Sequence, residues 1–171
     1  YDAHRRLLPW RLDAAPYRVW VSEIMLQQTR IEAVLPYFDR FMRQLPTIRD
    51  LAACGEDRLL KLWEGLGYYS RARNLQKAAR VILEQYGGEM PGDYEALLGL
   101  PGIGEYTAGA VASISFGIPV PAVDGNVMRV LARLTANGED ILRPAAKRWF
   151  TAAAAAMLPP EAPGAFNQAL M

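Results

Sequence analysis

Cysteine is almost missing from this chain: Cys54 stands alone among 171 residues. One thiol cannot close an internal disulfide or build a cysteine metal site. It fits best as a small buried hydrophobe in a reducing, cytosolic setting. No apolar run approaches the ~20 residues of a membrane-spanning helix, and no signal-peptide pattern opens the sequence, so neither a membrane anchor nor export is expected. Charge of one sign is also scarce. Nineteen basic and 18 acidic side chains leave a formal net charge of +1, so global electrostatics do not argue for nucleic acid. Strand-like alternation, internal repeats and low-complexity tracts do not occur.

What is present is an ordinary globular composition, 51% hydrophobic and 22% charged. The length suffices for one good core or two small ones sharing an interface. Nearly every periodic segment has helical spacing, so the expected fold class is all-α. Tyr17 to Phe41 carries Val19, Trp20, Ile24, Ile31, Val34, Leu35, Phe38 and Phe41 at helical intervals. Pro36 is expected to divide it into helices over 17–34 and 36–44. Further helices are expected over 47–54, 56–66, 71–86, 93–98, 107–116, 124–134 and 145–158, with a final one reaching the end of the chain. Two basic clusters, His4-Arg5-Arg6 with Arg11 and Arg71-Arg73-Lys77-Arg80, read first as solvated helix faces. The chain begins at Tyr1 and stops inside a helical pattern at Met171 without a stop signal, as expected of a piece of a longer protein.

The segment Leu100-Pro101-Gly102-Ile103-Gly104-Glu105-Tyr106-Thr107-Ala108 joins two helix-like stretches through a tight turn. Gly102 and Gly104 are expected to supply positive φ angles and close backbone approach. The first-turn NH groups of the second helix lack intrahelical partners, so a phosphate can bind there without a basic side chain. The turn resembles the helix-hairpin-helix element of DNA repair proteins, although an ordinary helix-helix turn has the same local signature.

Three side chains could do chemistry. Glu23 has Val19, Trp20, Leu26 and Gln27 as helical neighbours. A carboxyl in such surroundings is desolvated, which favours its neutral form and suits a general acid; the plainer alternative is a surface glutamate. Asp124 precedes Gly125 and the apolar positions Val127, Val130, Leu131 and Leu134. It reads as a helix cap, and the same geometry would keep its carboxylate ionised. One protonated and one charged carboxyl divide the labour as glycosidic-bond cleavage requires. Tyr106 opens the helix after the hairpin and can pack or donate a hydrogen bond. It cannot form a Schiff base, and no lysine lies between Lys77 and Lys147.

The L-P-G-I-G-E-Y-T-A hairpin, the V-x-D-G-N-V segment around Asp124 and the S-E-I-M-L-Q-Q-T helix around Glu23 occur in one chain with Pro9-Trp10-Arg11 and Gly65-Leu66-Gly67-Tyr68-Tyr69-Ser70-Arg71-Ala72-Arg73. Together they resemble the helix-hairpin-helix, Gly/Pro-Asp superfamily of DNA glycosylases. Within it the chain is similar to the MutY adenine glycosylases, which remove adenine mispaired with 8-oxoguanine or guanine. The resemblance covers essentially all 171 residues. It implies that Glu23 protonates adenine N7 and that Asp124 stabilises the oxocarbenium-like sugar, as an ion or as a transient covalent partner. It further implies that Tyr106 and Asn126 support the site, that Arg11 and Gln168 line the adenine pocket, and that Gln28 and Tyr68 enter the duplex beside a flipped-out base. The hairpin around Gly102 and Gly104 would grip the phosphate backbone, with a monovalent or calcium ion on the Leu98, Leu100 and Ile103 carbonyls.

In the endonuclease III branch the Tyr106 position is a lysine that cuts the strand, so Tyr106 implies a monofunctional glycosylase. A thymine-mismatch branch also carries tyrosine there, and that reading stays open beside the endonuclease III-like one. Relatives hold a [4Fe-4S] cluster on four cysteines spaced C-x6-C-x2-C-x5-C, a set this chain does not contain. The implied organisation is a six-helix lobe over 15–122 bearing the hairpin and a second, cluster-type lobe from 1–14 and 123–171, with a DNA cleft between them. The implied partner is double-stranded DNA, bound by a monomer in the bacterial cytosol or nucleoid. A non-catalytic hairpin module would instead leave Glu23 and Asp124 exposed and far apart, and a bare helical scaffold would show no salt-dependent duplex affinity.

Overall fold

A computed structural model describes Tyr1 and residues 5–171; the His4 portion of the first basic cluster lies outside the described residues. Eleven helices and no strands are found among them: α1 (Pro9–Leu12), α2 (Pro16–Leu26), α3 (Ile31–Gln44), α4 (Ile48–Ala53), α5 (Glu56–Trp63), α6 (Ser70–Gln85), α7 (Tyr94–Leu98), α8 (Glu105–Phe116), α9 (Gly125–Leu134), α10 (Pro144–Met157) and α11 (Pro163–Leu170). The class is all-α, as expected. No helix among the described residues is long and apolar enough to cross a membrane.

Local chemistry accounts for most boundaries. Thr47 and Asp50 form a reciprocal capping box at the start of α4. Asp93 caps α7 and Asp124 caps α9 with side-chain oxygens. Prolines occupy the first turns of α1, α2, α10 and α11, where a missing N–H costs nothing.

One expected boundary is corrected. The division of the 17–44 stretch falls at residues 27–30, and Pro36 sits inside α3. Pro36 is exposed, so water can satisfy the carbonyl that its absent N–H leaves free. The real break comes at Gln28, whose φ of 57° is left-handed. The exposed carbonyls at the end of α2 are taken by Arg71 from α6: Nη1 donates to the carbonyls of Ile24 (2.8 Å), Met25 (3.2 Å) and Gln27 (2.7 Å).

The solvated-face reading of this basic cluster holds for Arg73, Lys77 and Arg80, which are exposed, with Arg73 pairing with Glu56 and Arg80 donating to the Ala52 carbonyl. Arg71 is the exception, turned inward onto backbone carbonyls.

Helix α8 is the hub. Every residue from Thr107 to Ser113 is buried, and the helix meets α2, α7 and α11. Small side chains permit this close approach. A Cβ at Gly109 would stand 2.4 Å from the Pro121 carbonyl oxygen, and one at Gly164 of α11 would stand 2.7 Å from the Ser113 carbonyl oxygen.

Apolar side chains form two clusters. The larger is built around Trp20, Phe38, Phe41 and Trp63, and the smaller comprises Val123, Val127, Leu131, Ala146, Phe150 and Ala154. Leu8 and Trp10 pack in the larger cluster, Trp10 edge-on to Phe38 at 5.0 Å. Tyr1 reaches the other way and donates to Gln168 Oε1 of α11 at 2.8 Å.

Between the clusters, the extended 117–124 connection is held by Asn167 of α11, which is fully buried. Its amide donates to Ser113 Oγ (2.8 Å) and the Val120 carbonyl (2.9 Å), and its Oδ1 accepts from the Ala122 N–H (3.1 Å). Two bonds from one amide, anchored by the third to α8, therefore set the path of the backbone just ahead of Asp124.

Candidate active site

Glu23 lies in the body of α2 and is only 6% exposed. The surface-glutamate reading is thereby excluded. Tyr106, in the first turn of α8, faces its carboxyl. Burial lifts the Glu23 pKa from its ordinary 4.5 to about 7; the Tyr106 hydroxyl opposes this, Asp124 adds to it, and Arg11 opposes it weakly. Glu23 therefore holds a proton much more readily near neutral pH than an ordinary glutamate does. Burial, reinforced by the neighbouring Glu23, drives the Tyr106 phenol well above its usual range, so it stays a neutral donor.

Asp124 is held differently. Its Oδ1 accepts from the backbone N–H of Asn126 (2.9 Å) and Val127 (2.8 Å), and its Oδ2 accepts from Asn126 Nδ2 (3.1 Å). Three donors at a helix N-terminus therefore fix both oxygens of the Asp124 carboxyl in place. Asn126 in turn accepts from Arg129, which orients its amide toward Asp124.

These groups face a common cavity of about 740 Å³ lined by Glu23, Tyr106, Asp124 and Asn126. Arg11, Gln28, Tyr68 and Gln168 also border it. Gln168 has its polar ends engaged, accepting from Tyr1 and donating to the Gly164 carbonyl. Tyr68 is 65% exposed, and Gln28 is exposed at the same rim. Eight side chains expected to form the site are thus brought together from α1, α2, α8, α9, α11 and two turns. A module with its two acids exposed and far apart is not what the chain forms.

The hairpin lies apart from this cavity. Gly102 has a φ of +76°, and a Cβ there would come within 2.6 Å of Asn74 Cβ, so both expected roles hold for it. Gly104 is a correction. Its φ of −98° and ψ of 178° are extended, and a Cβ would meet open space. It serves as the N-cap of α8, where glycine leaves the first-turn NH groups uncovered. Of the three hairpin carbonyls considered for a cation, that of Leu100 already accepts the Ile103 N–H at 3.1 Å.

Sequence reasoning missed Arg71 and Asn167. Arg71 was hidden in a basic run, and Asn167 in the apolar helix preceding Gln168. Both act through long-range bonds to backbone, which leave no local pattern in the residues around them. Cys54 is buried and donates to the Gly55 carbonyl, and no group of three metal-ligating side chains occurs among the described residues. The residues present do not fit an iron-sulfur cluster.

A helix-hairpin-helix turn thus lies beside a cavity in which a buried glutamate faces a capped aspartate, and residues 21–153 match the family described as HhH-GPD superfamily base excision DNA repair protein. The chain belongs to that superfamily. Along its entire length it is 47% identical to the human adenine DNA glycosylase, of which it covers 33%. Among solved structures it is similar to a thermostable thymine-DNA glycosylase, with a TM-score of 0.88 and 29% identity over 99% of this chain and 78% of that one. A trapped endonuclease III-DNA covalent intermediate follows at 0.80 and 27% identity over 99% and 76%. The chain spans about a third of the length of the curated relatives it matches.

Proposed function

We propose that this chain is the catalytic part of a monofunctional DNA glycosylase that hydrolyses the N-glycosidic bond of adenine mispaired with 8-oxoguanine or guanine. The observation that carries this reading is the buried Glu23, its proton affinity raised by the loss of water, facing Asp124 across one cavity. In it Glu23 donates its proton to adenine N7, so the base leaves neutral. Asp124 offsets the positive charge that grows on the sugar as the bond lengthens, and water completes the hydrolysis. Tyr106 holds the Glu23 carboxyl, and Asn126 holds that of Asp124. Arg11 and Gln168 border the space for the base.

The partner is double-stranded DNA, bound by a monomer in the cytosol or nucleoid. A base must leave the stack to reach Glu23, and Gln28 and Tyr68 at the rim are the side chains that fill the gap. Gly102, Gly104 and the α8 N-terminus contact the phosphate backbone, and the Leu98, Leu100 and Ile103 carbonyls are the groups available to a small cation there. The larger apolar cluster supports a lobe over 15–122 and the smaller one a second lobe over 123–171; of residues 1–14, read with the second lobe, Tyr1 bonds to Gln168 there while Leu8 and Trp10 pack in the larger cluster.

A thymine-mismatch reading is favoured by one observation, the likeness to a thymine-DNA glycosylase structure. A single-turnover assay of the full-length protein separates them, using duplexes with adenine opposite 8-oxoguanine and thymine opposite guanine. Adenine release leaving an intact abasic strand is the expected result. Thymine release without adenine release overturns the adenine reading, and prompt strand cleavage overturns the monofunctional one.

A further inference from the structure

Three residues other than glycine adopt positive φ among the described residues: Gln28 (57°), Tyr68 (46°) and Ala136 (52°). A Cβ makes this conformation unfavourable, so surrounding structure must impose it. Gln28 and Tyr68 are exposed side chains at the rim of the catalytic cavity, and one guanidinium holds the backbone leading into both. Arg71 Nη1 bonds the carbonyls at the end of α2, including that of Gln27 (2.7 Å). Its Nη2 donates to the carbonyls of Leu66 (3.0 Å) and Gly67 (3.2 Å), immediately ahead of Tyr68. The guanidinium carbon also lies 5.6 Å from the Tyr68 ring centroid and 5.5 Å from that of the fully buried Trp63. The two turns are far apart in sequence, and this planar fork spans them.

We propose that Arg71 is a positioning residue that clamps the Gln28 and Tyr68 turns together in their left-handed conformations, so that both side chains enter the duplex as one preformed wedge. The proposal rests on the reading of Gln28 and Tyr68 as wedge residues. Arginine is required because its donors diverge in a fixed plane, with one terminal nitrogen for each turn; a lysine ammonium places three donors at a single point and cannot satisfy both. A preformed wedge meets part of the cost of unstacking before DNA arrives. Arg71 borders the cavity, but both its terminal nitrogens are taken up by backbone carbonyls, so its loss should weaken base extrusion and spare bond cleavage.

The test uses Arg71→Lys and Arg71→Met in the full-length protein, with two substrates. One is a fully paired duplex carrying the target adenine opposite 8-oxoguanine, and the other places the same adenine in an unpaired bubble that needs no wedge. Because extrusion costs a few kcal/mol, Arg71→Met should slow release from the paired duplex by about 30-fold and from the bubble by less than about threefold. Arg71→Lys, which keeps the charge and the fold, should show the same selective loss at about tenfold. Backbone amide exchange at residues 24–28 and 66–68 should accelerate in both variants. Equal losses on the two substrates, or unchanged exchange in the two turns, overturn the clamp. The wedge reading is checked separately by Gln28→Ala and Tyr68→Ala. Native release rates from the paired duplex in both overturn the wedge, while the exchange data still support or overturn the clamp.

Discussion

The two acids of the cavity are built from opposite kinds of structure. Glu23 sits in the body of a helix sunk in the larger apolar cluster, and its proton affinity is set by the loss of water. Asp124 sits at the first position outside a helix, where two backbone N–H groups and an amide take its oxygens. One site withholds donors from the carboxylate and the other supplies them. The difference teaches that two carboxyls facing one cavity can be held in opposite surroundings, one stripped of water and the other supplied with donors.

The largest test of that contrast is Glu23→Gln. It removes the dissociable proton while keeping the shape, and base release in single-turnover assays should fall by about 10³-fold, with duplex affinity nearly unchanged. Native release rates in this variant would remove the acid role. The same proton gives a pH test. The native enzyme should lose base release as pH rises through about 7, where Glu23 ionises.

A stability test follows from the sign of the shift. The folded pKa of about 7 lies above the ordinary 4.5, so the contribution of the neutral Glu23 is complete below about pH 4.5 and is lost as pH rises through 7. Heating scans at pH 5 and pH 8 should show the native protein losing on the order of 3 kcal/mol that Glu23→Gln retains. An equal pH dependence in both proteins would break the desolvation account.

Smaller effects sharpen the Asp124 half. Asn167→Ala leaves the buried Ala122 N–H without its partner and removes one bond each from the Ser113 hydroxyl and the Val120 carbonyl, which should cost about 2 kcal/mol in urea unfolding. A loss no larger than that of an exposed substitution would show that the connection ahead of Asp124 is held otherwise. Last, Asp124→Ala should cost about 1 kcal/mol of stability through the lost cap, and Asp124→Asn much less, since asparagine caps nearly as well. Both should lose base release. If Asp124→Asn retained it, the cap would be the whole of the Asp124 role.

Much of this arrangement is legible in the residues. The Asp124-Gly125 cap is written next to the periodic positions of α9, and the apolar neighbours of Glu23 announce its burial one turn either way. The end of α2 was not legible. Pro36 is the strongest local breaker in that stretch, yet its exposed ring is tolerated, and the helix ends earlier because Gln28 turns under a guanidinium from α6. The same distance separates Arg71 from a solvated-face reading of its basic run. Gly102 and Gly104 look alike in sequence, and only the approach of Asn74 tells them apart.

By itself the sequence determined what neighbouring residues decide among themselves: an all-helical chain and the caps and turns that bound most of its helices, the Asp124 cap among them. Tertiary structure alone decided that the two acids share one cavity, that Asn167 sets the path into Asp124, and that Arg71 ties two distant turns into one rim. The reason is physical. Capping and periodicity act over three or four residues and leave a spacing to read, whereas a hydrogen bond to a distant carbonyl is made to backbone, which every residue carries alike.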